Sequence, residues 1–337
     1  MGAAASPSSK PQPDYSARIA AEQNIYNNCL DVHALPEIFH YWSNMYLRPK
    51  VETFGFSSPN GLFDKYLEIQ CRKVSHRACQ FVSIGAGNCD AEIAAAATLR
   101  KKGLQNFILH CLDLNPTMLE RGRVAAEEQE VTDNVHFLQG DFNDWQPAQD
   151  YDAVIANQSL HHVTNLEGLF DAIRRSLKPS GVFITSDMIG RNGHLRWPEA
   201  LEIVHEFWRE LPEKYRYNQC LRRYEELFED WDCSTESFEG IRAQDILPLL
   251  VEMFHFHVFV GFANVIDMFV DRPFGHNFDA TATWDRDFID RVHARDELEM
   301  ARGRVKPTHM MAVMSTIPVG RTGVIGALTP KFCVRRP

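Results

Sequence analysis

No apolar stretch of this chain is long enough to span a membrane. The most apolar run, "MFHFHVFVGFANVIDMFV" from Met253 to Val270, is broken by His255, His257, Asn264 and Asp267. It also falls short of the roughly 20 residues that a span needs. An excess of basic charge is missing too. The 35 Lys and Arg face 45 Asp and Glu, a formal charge of −10, which argues against the basic face that a nucleic-acid backbone demands. The eight cysteines form no C-x-x-C pair, and several sit in strand-like apolar contexts. A reduced, cytoplasmic protein without a zinc site is expected. No basic segment followed by an apolar core opens the chain, so secretion is not expected. Met1–Ser6, "MGAAAS", does match the myristoylation pattern, as small-residue termini also do by chance.

What is present is an ordinary globular composition, 45% hydrophobic and 24% charged over 337 residues. That length suits one large elaborated domain, or a core with a cap. Residues 1–15 are rich in Ala, Ser and Pro and read as a disordered tail. Residues 16–77 carry aromatic-rich helical patterns and read as an N-terminal cap. From residue 78 to 188 strand and helix alternate, the signature of a parallel sheet with helices on both faces. Strands are predicted at 80–84, 107–113, 135–139, 152–157 and 181–187, and helices near 90–102, 116–129 and 166–177. Residues 189–240 form a polar, aromatic and largely helical insertion, longer than a connection needs. Residues 241–320 complete the core, with strands in "FHFHVFVGFANV" and "THMMAVMST" and a second insertion at 264–305. Residues 321–337 read as another tail. The fold class is α/β, doubly wound around a mostly parallel seven-stranded sheet.

The chemistry starts at "FVSIGAGNCDAEIAAAATLRKKG", Phe81–Gly103. A strand running into Gly85-Ala86-Gly87 and then a helix lets backbone approach a ligand closely. In dinucleotide-binding loops a third glycine permits close helix packing beneath a pyrophosphate. Here that position is Asp90, a negative charge where two phosphates would sit. A ligand without phosphates and with a cationic ammonium, such as S-adenosylmethionine, is better tolerated. Asp113 ends a strand in "HCLDLNPTML", where a carboxylate can accept both hydroxyls of a ribose. Asn115 before Pro116 already fills the helix-capping role. In "LQGDFNDW", Asp141 can bond an adenine amino group and Phe142 can flank the ring. In an open sheet ligands bind where strand order reverses. If the sheet is wound as in the family resembled below, Asn157–His162 face the Gly85 loop across that crevice.

These stretches together resemble the class I S-adenosylmethionine-dependent methyltransferases. "SIGAG", "LDLNPTML", "GDF" and "NQSLHHV…LKPSG" are similar, in order and spacing, to that family's successive motifs over about residues 78–188. The resemblance implies a Rossmann-like methyltransferase fold closed by an antiparallel hairpin. It implies Gly85, Ala86 and Gly87 at the methionine moiety, Asp113 at the ribose, Asp141 and Phe142 at the adenine, and Asn157 beside the methionine end. Leu114 is counted with these as cofactor-binding. Two positions depart from the pattern: Ser83 replaces the acid common two residues before the first glycine, and Cys89 stands where a third small residue is usual.

Methyl transfer from a sulfonium is an in-line displacement. It needs an aligned nucleophile, exclusion of water and, for a hydroxyl acceptor, a base. In plant-type small-molecule O-methyltransferases a histidine at about the place of His161 is that base, and histidine titrates near neutrality. His161, His162 and Asp187 are therefore the candidate catalytic residues, each with a bland reading as a cap, packing or turn residue. His194, His205, His255, His257 and His276 do not add up to a metal site by spacing, and none is expected. In "EKYRYNQCLRRYEELFEDWD", Lys214, Arg216, Arg222 and Arg223 read either as an anion-binding group or as a solvated helix face. Trp197, Phe207, Trp208, Tyr215 and Tyr217 read as lid core or acceptor pocket.

The expected function is S-adenosylmethionine-dependent methylation of a small-molecule acceptor at oxygen, with no nucleic-acid partner and no stable membrane insertion. A homodimer is left open. C- or N-methylation is the nearest alternative. A nicotinamide-dependent oxidoreductase and a catalytically silent cofactor-binding subunit are the readings from other classes.

Overall fold

The computed structural model describes residues 14–28, 34–235 and 237–335; the "MGAAAS" pattern lies outside them. Among the described residues, α1 Tyr15–Asn28, α2 Glu37–Trp42, a π-helical turn Ser43–Leu47, α3 Arg48–Glu52 and α4 Pro59–Lys73 precede the first strand. Ser58 caps α4 by accepting the Gly61 amide at 3.1 Å, and Pro59 supplies a fixed φ at its first position. Strand and helix then alternate through β1 Cys79–Ile84, α5 Asp90–Lys101, β2 Phe107–Asp113, α6 Pro116–Glu128, β3 Val135–Gln139, β4 Tyr151–Asn157, α7 Leu166–Ser176 and β5 Leu177–Met188. Asn115 caps α6 through the Thr117 and Met118 amides. After α8 Pro198–Glu210 and α9 Ala243–Met253 come β6 His255–Phe262, α10 Asp267–Val270, α11 Thr283–Ala301, β7 His309–Ser315 and a two-residue edge strand, β8 Gly323–Val324.

The sheet order is β8-β6-β7-β5-β4-β1-β2-β3. β7 runs antiparallel to both β5 and β6, and the other pairs are parallel. The seven expected strands are present, and β8 makes an eighth. Strand order reverses between β1 and β4, so a crevice opens above their carboxyl ends. Buried on both faces, the central strands read as near-continuous apolar runs. Phe81, Leu109, Ile155 and Ile184 pack under α4, α5 and α6, while Val82, Ile84, Val154 and Phe183 pack under α7 and α9.

Three expectations need correction. Residues 321–337 are not a tail over their described part, because β8 pairs with Val258 and Phe259; Leu328, Pro330 and Cys333 are buried behind it. Residues 189–240 are not largely helical. Only α8 is a full helix, and the rest consists of turns and a two-stranded hairpin pairing Tyr217–Asn218 with Arg223–Tyr224. The "LKPSG" segment is drawn into β5, where Leu177 pairs with Tyr151 ahead of a register shift. The two insertions share one aromatic core: Phe207 and Trp208 of α8 meet Phe269, Phe274 and Phe288 at ring-centroid distances of 4.9–6.3 Å.

At the opposite end of the sheet from the crevice, buried Asp152 is the second residue of β4. It accepts Arg77 at 2.6 Å, Lys178 at 3.0 Å and the Gln80 amide at 2.9 Å. Burial alone would raise its carboxyl, but Arg77, the Gln80 amide and Lys178 outweigh that and hold it below the ordinary value. Asp152→Ala is expected to lower unfolding free energy by about 2 kcal/mol, because two cations and an amide lose their acceptor. A carboxylate with a lowered folded pKa stabilises above its unfolded value and ceases to as pH falls through the folded one. The difference between wild type and variant in urea unfolding should therefore be full at neutral pH and shrink below about pH 4.

Candidate active site

At the end of β1 the chain turns through Gly85 and Gly87, with φ of 68° and 57°. Glycine is needed at Gly85 for a second reason: a Cβ there would lie 2.5 Å from the Ser159 Cβ. The loops after β1 and β4 touch at this point, and the Ser159 hydroxyl donates to the Ile84 carbonyl at 2.7 Å. Cys89, also left-handed at φ 62°, is buried, and its amide donates to the Ala86 carbonyl at 2.8 Å. Ser83, where an acid was absent from the motif, donates its hydroxyl at 2.6 Å to Glu92, a buried residue in the first turn of α5. A carboxylate from the neighbouring helix thus stands beside Ser83, a placement that the linear pattern did not signal.

Asp113 ends β2. It accepts the Gly87 amide and the Asn115 amide, each at 2.8 Å, and so ties the glycine loop to the next strand tip. Burial raises its carboxyl despite those amides. Asp141 accepts the Asn143 amide at 2.8 Å, and the Phe142 ring lies 3.6 Å from the Cβ position of Gly85. Asn157 ends β4 beside Ser186. The candidate cofactor residues Gly85, Ala86, Gly87, Asp113, Leu114, Asp141, Phe142 and Asn157 therefore all stand at the carboxyl ends of β1 to β4.

Helix α1 crosses this rim. Tyr15 donates to Asp141 at 2.5 Å, Gln23 reaches the Leu114 carbonyl at 3.5 Å, and Asn27 accepts from Asn115 at 3.0 Å. Buried Arg18 donates to the carbonyls of Ser234 and Ser237, and Glu22 accepts the Phe238 amide at 3.1 Å. Burial first, and then Asp141, raise the Tyr15 phenol well above its ordinary value, so it stays a donor. These contacts are mostly polar, and sequence periodicity carries no hint of where α1 docks.

Beyond Asn157 lies a second cluster. Asp187, fully buried at the end of β5, accepts the Ser159 and Leu160 amides at 2.9 and 2.8 Å and the Met188 amide at 2.8 Å. His161 Nδ1 donates to it at 2.7 Å. His161 Nε2 lies 3.4 Å from Glu239, His194 Nε2 lies 2.7 Å from the same oxygen, and His162 Nε2 lies 3.6 Å from the other. Glu22 stands 2.6 Å from His162 Nδ1. Burial opposes charge on His161, yet Asp187 and Glu239 outweigh it and push its pKa up to about 10. Glu239 is held well below the usual carboxylate range against its own burial, chiefly by His162 and His161.

His161, His162 and Asp187 are thus brought together, and His194 joins them. The other histidines do not. His205 packs edge-on to Phe228, His257 bonds Ser315 at 2.9 Å, and His276 lies in the turn at 275–277. Glu239 and Glu22 were missed by sequence reasoning; the one signal was Gly240, directly after Glu239. A Cβ at Gly240 would sit 3.0 Å from the backbone of Gly193 and His194, so the two turns can meet only through glycine. The Lys214–Arg223 segment is not a helix face: Arg216 donates to the Glu226 carbonyl, and Arg223 pairs with Glu225 and Glu229. Phe207, Trp208 and Tyr215 are core, while the Trp197 ring carries the guanidinium groups of Arg191 and Arg335 at 5.4 and 4.4 Å from its centroid.

Residues 75–241 match the family model of a methyltransferase domain. Over 73 residues the chain is 38% identical to a sterol 24-C-methyltransferase of Gibberella zeae, covering 21% of this chain and 19% of that protein. Over 161 residues it is 26% identical to a malonyl-[acyl-carrier protein] O-methyltransferase of Ilyobacter polytropus, covering 44% and 58%. Among solved structures it is similar to a putative sarcosine dimethylglycine methyltransferase from Galdieria sulphuraria, with a TM-score of 0.44 and 18% identity over 76% of this chain and 86% of that one. The chain spans only about a fifth to three-fifths of the length of the two curated relatives.

The contact between Gly85 and Ser159 makes a direct prediction. Gly85→Ala is expected to destabilise the fold by about 2 kcal/mol or more, since the new Cβ is both strained and in collision. Adding Ser159→Gly removes the collision and leaves the positive φ, so the double variant should recover part of the loss in denaturant unfolding. Ser159→Ala, which keeps the offending Cβ, should recover none.

Proposed function

Residues 75–241 belong to the class I S-adenosylmethionine-dependent methyltransferases, and from that premise we propose that the chain methylates a small-molecule acceptor at oxygen. The observation that carries this reading is the pairing of two built centres on one crevice rim. One is the Asp113–Gly87 junction at the tips of β2 and β1, and the other is the Asp187–His161 pair at the tips of β5 and β4. The first suits the cofactor. Asp113 gives one contact per oxygen to backbone amides, and a carboxylate has about four acceptor sites, so capacity for ribose hydroxyls remains. Asp141 and Phe142 suit the adenine, with α1 moving aside, because Tyr15 now takes the Asp141 oxygen that an amino group would use. The Gly85-Ala86-Gly87 backbone suits the methionine end, and Asn157 stands next to it.

The second centre suits the acceptor. A hydroxyl attacking a sulfonium carbon loses its proton as the C–O bond forms, and that proton needs a destination. Asp187 directs the His161 ring, as a carboxylate does for a catalytic imidazole. With a pKa of about 10 the ring rests protonated at neutral pH, so it serves as the base only after its Nε2 proton has passed to Glu239, 3.4 Å away. His162, His194 and Glu239 close the group around it. The insertions and α1 cover this end, which favours an enclosed small molecule over a flat macromolecular face and excludes water from the methyl transfer. C-methylation is the second reading, favoured by the likeness of part of the chain to sterol 24-C-methyltransferases.

The test is incubation with methyl-labelled S-adenosylmethionine and a panel of hydroxylated and unsaturated metabolites, followed by mass spectrometry of the product. A label on oxygen supports the proposal, a label on carbon supports the second reading, and no transfer at all refutes both. Asp113→Ala should weaken cofactor binding tenfold or more in calorimetry, on the order of 1.5–3 kcal/mol. Unchanged affinity in the folded variant refutes its assignment. His161→Ala should keep cofactor affinity while turnover falls roughly 10²–10⁴-fold.

A further inference from the structure

We propose that His161, His194 and Glu239 form a binding site for one first-row divalent metal ion at the mouth of the crevice. The three ligand atoms, two imidazole Nε2 atoms and a carboxylate oxygen, lie within 4.8 Å of one another. They come from three separate segments: the turn after β4, the turn after β5 and the loop before α9. The spacings admit an ion as well as the ion pairs that the three residues form without one. His161 Nε2 stands 3.4 Å from Glu239, and His162 Nε2 stands 3.6 Å from it. Both exceed an ordinary N–H···O distance. Two donors each about 2.0–2.1 Å from a tetrahedral ion are about 3.3 Å apart, which is close to the separation found for the first pair. Only the contact between His194 and Glu239, at 2.7 Å, is a true hydrogen bond, and it is the one that must open slightly.

The outer layer is built as metal sites require. A ligating histidine usually donates its other ring nitrogen to a carboxylate, which fixes ring and tautomer. His161 does this to Asp187, which three backbone amides immobilise. His162, whose Nδ1 lies 2.6 Å from Glu22 of α1, stands beside the three ligands and is not one of them. His194 is held at φ 55°, directly after Gly193 at φ 64°. A non-glycine residue in that region stores strain that its surroundings must justify. The Gly193 amide donates to the Gly240 carbonyl at 2.9 Å, so the strained turn is clamped to the Glu239 turn. Imidazole and carboxylate together select zinc or iron over magnesium. Three protein donors leave a position open for a substrate oxygen; a bound ion takes the His161 Nε2 that a base would use, and would lower the pKa of the acceptor hydroxyl in its place. That role rests on the methyl-transfer reading, while the site itself does not.

The test uses untagged full-length protein, stripped with EDTA, dialysed against Zn²⁺ or, anaerobically, Fe²⁺, and then desalted. Elemental analysis should find about one ion per chain. Co²⁺ loaded the same way should give visible d–d bands of a low-coordinate nitrogen and oxygen site. His194→Ala and Glu239→Gln should each weaken retention by about tenfold or more, with calorimetric affinity for S-adenosylmethionine nearly unchanged. Glu239→Gln, which removes a counter-charge of buried His161, should also lower the melting temperature. No retained ion in the wild type, or full retention in both variants, overturns the site. If both variants unfold, the wild-type Co²⁺ spectrum decides, and absent bands overturn it. An ion retained by a protein that ignores S-adenosylmethionine leaves the site standing and defeats the methyl-transfer reading instead.

Discussion

Asp187 is the group around which the rest of the site is organised. A carboxylate with no solvent exposure survives only when its charge is met by donors, and this one takes three backbone amides and an imidazole. Two of those amides belong to Ser159 and Leu160, so the carboxylate at the end of β5 shapes the turn at the end of β4. That turn in turn presses Ser159 onto Gly85. One buried charge therefore sets the mutual position of the β1, β4 and β5 loops, and with it the distance between the cofactor end and the histidine cluster.

The accessory segments have a division of labour that follows from composition. The parts rich in aromatic residues, α8 and α10 to α11, bury their rings against each other and serve as a rigid backing. The polar, glycine-containing turns at 191–194 and 237–240 are left to reach inward, and they deliver His194 and Glu239. Helix α1 has little apolar stripe and is held across the rim largely by Tyr15, Arg18, Glu22 and Asn27. An element fixed by polar groups to the same side chains that a cofactor would use is suited to exchange with it, since the cofactor offers those side chains hydrogen bonds of the same kind.

The strand ends and the glycine loop were legible because their signals are local. Asp113 directly follows its apolar strand, Asn115 precedes Pro116, and Gly85 precedes an alanine-rich helix. The C-terminal part was not legible for the same reason: β8 is two residues long and exists only because β6 offers an unpaired edge. The Lys214–Arg223 stretch has the charge alternation of a helix, yet it forms a small hairpin in which Arg216 and Arg223 are taken up by nearby acids and a carbonyl. Ser83 stands in the motif as a lost acid, and Glu92 places a carboxylate beside it from the first turn of the next helix.

The sequence by itself determined the alternating core, the glycine loop after β1 and the carboxylate at the tip of β2, because strand period, turn chemistry and helix capping all act over a few neighbouring residues. The β1–β4 reversal came only with the family resemblance and the folded sheet. Only the tertiary structure decided that His161 meets Asp187, that His194 and Glu239 join them across 45 residues of chain, and that α1 lies over Asp141. Those meetings depend on where long insertions fold back. That is set by the burial of distant aromatic surfaces and by buried charges seeking partners, neither of which leaves a periodic trace in the sequence.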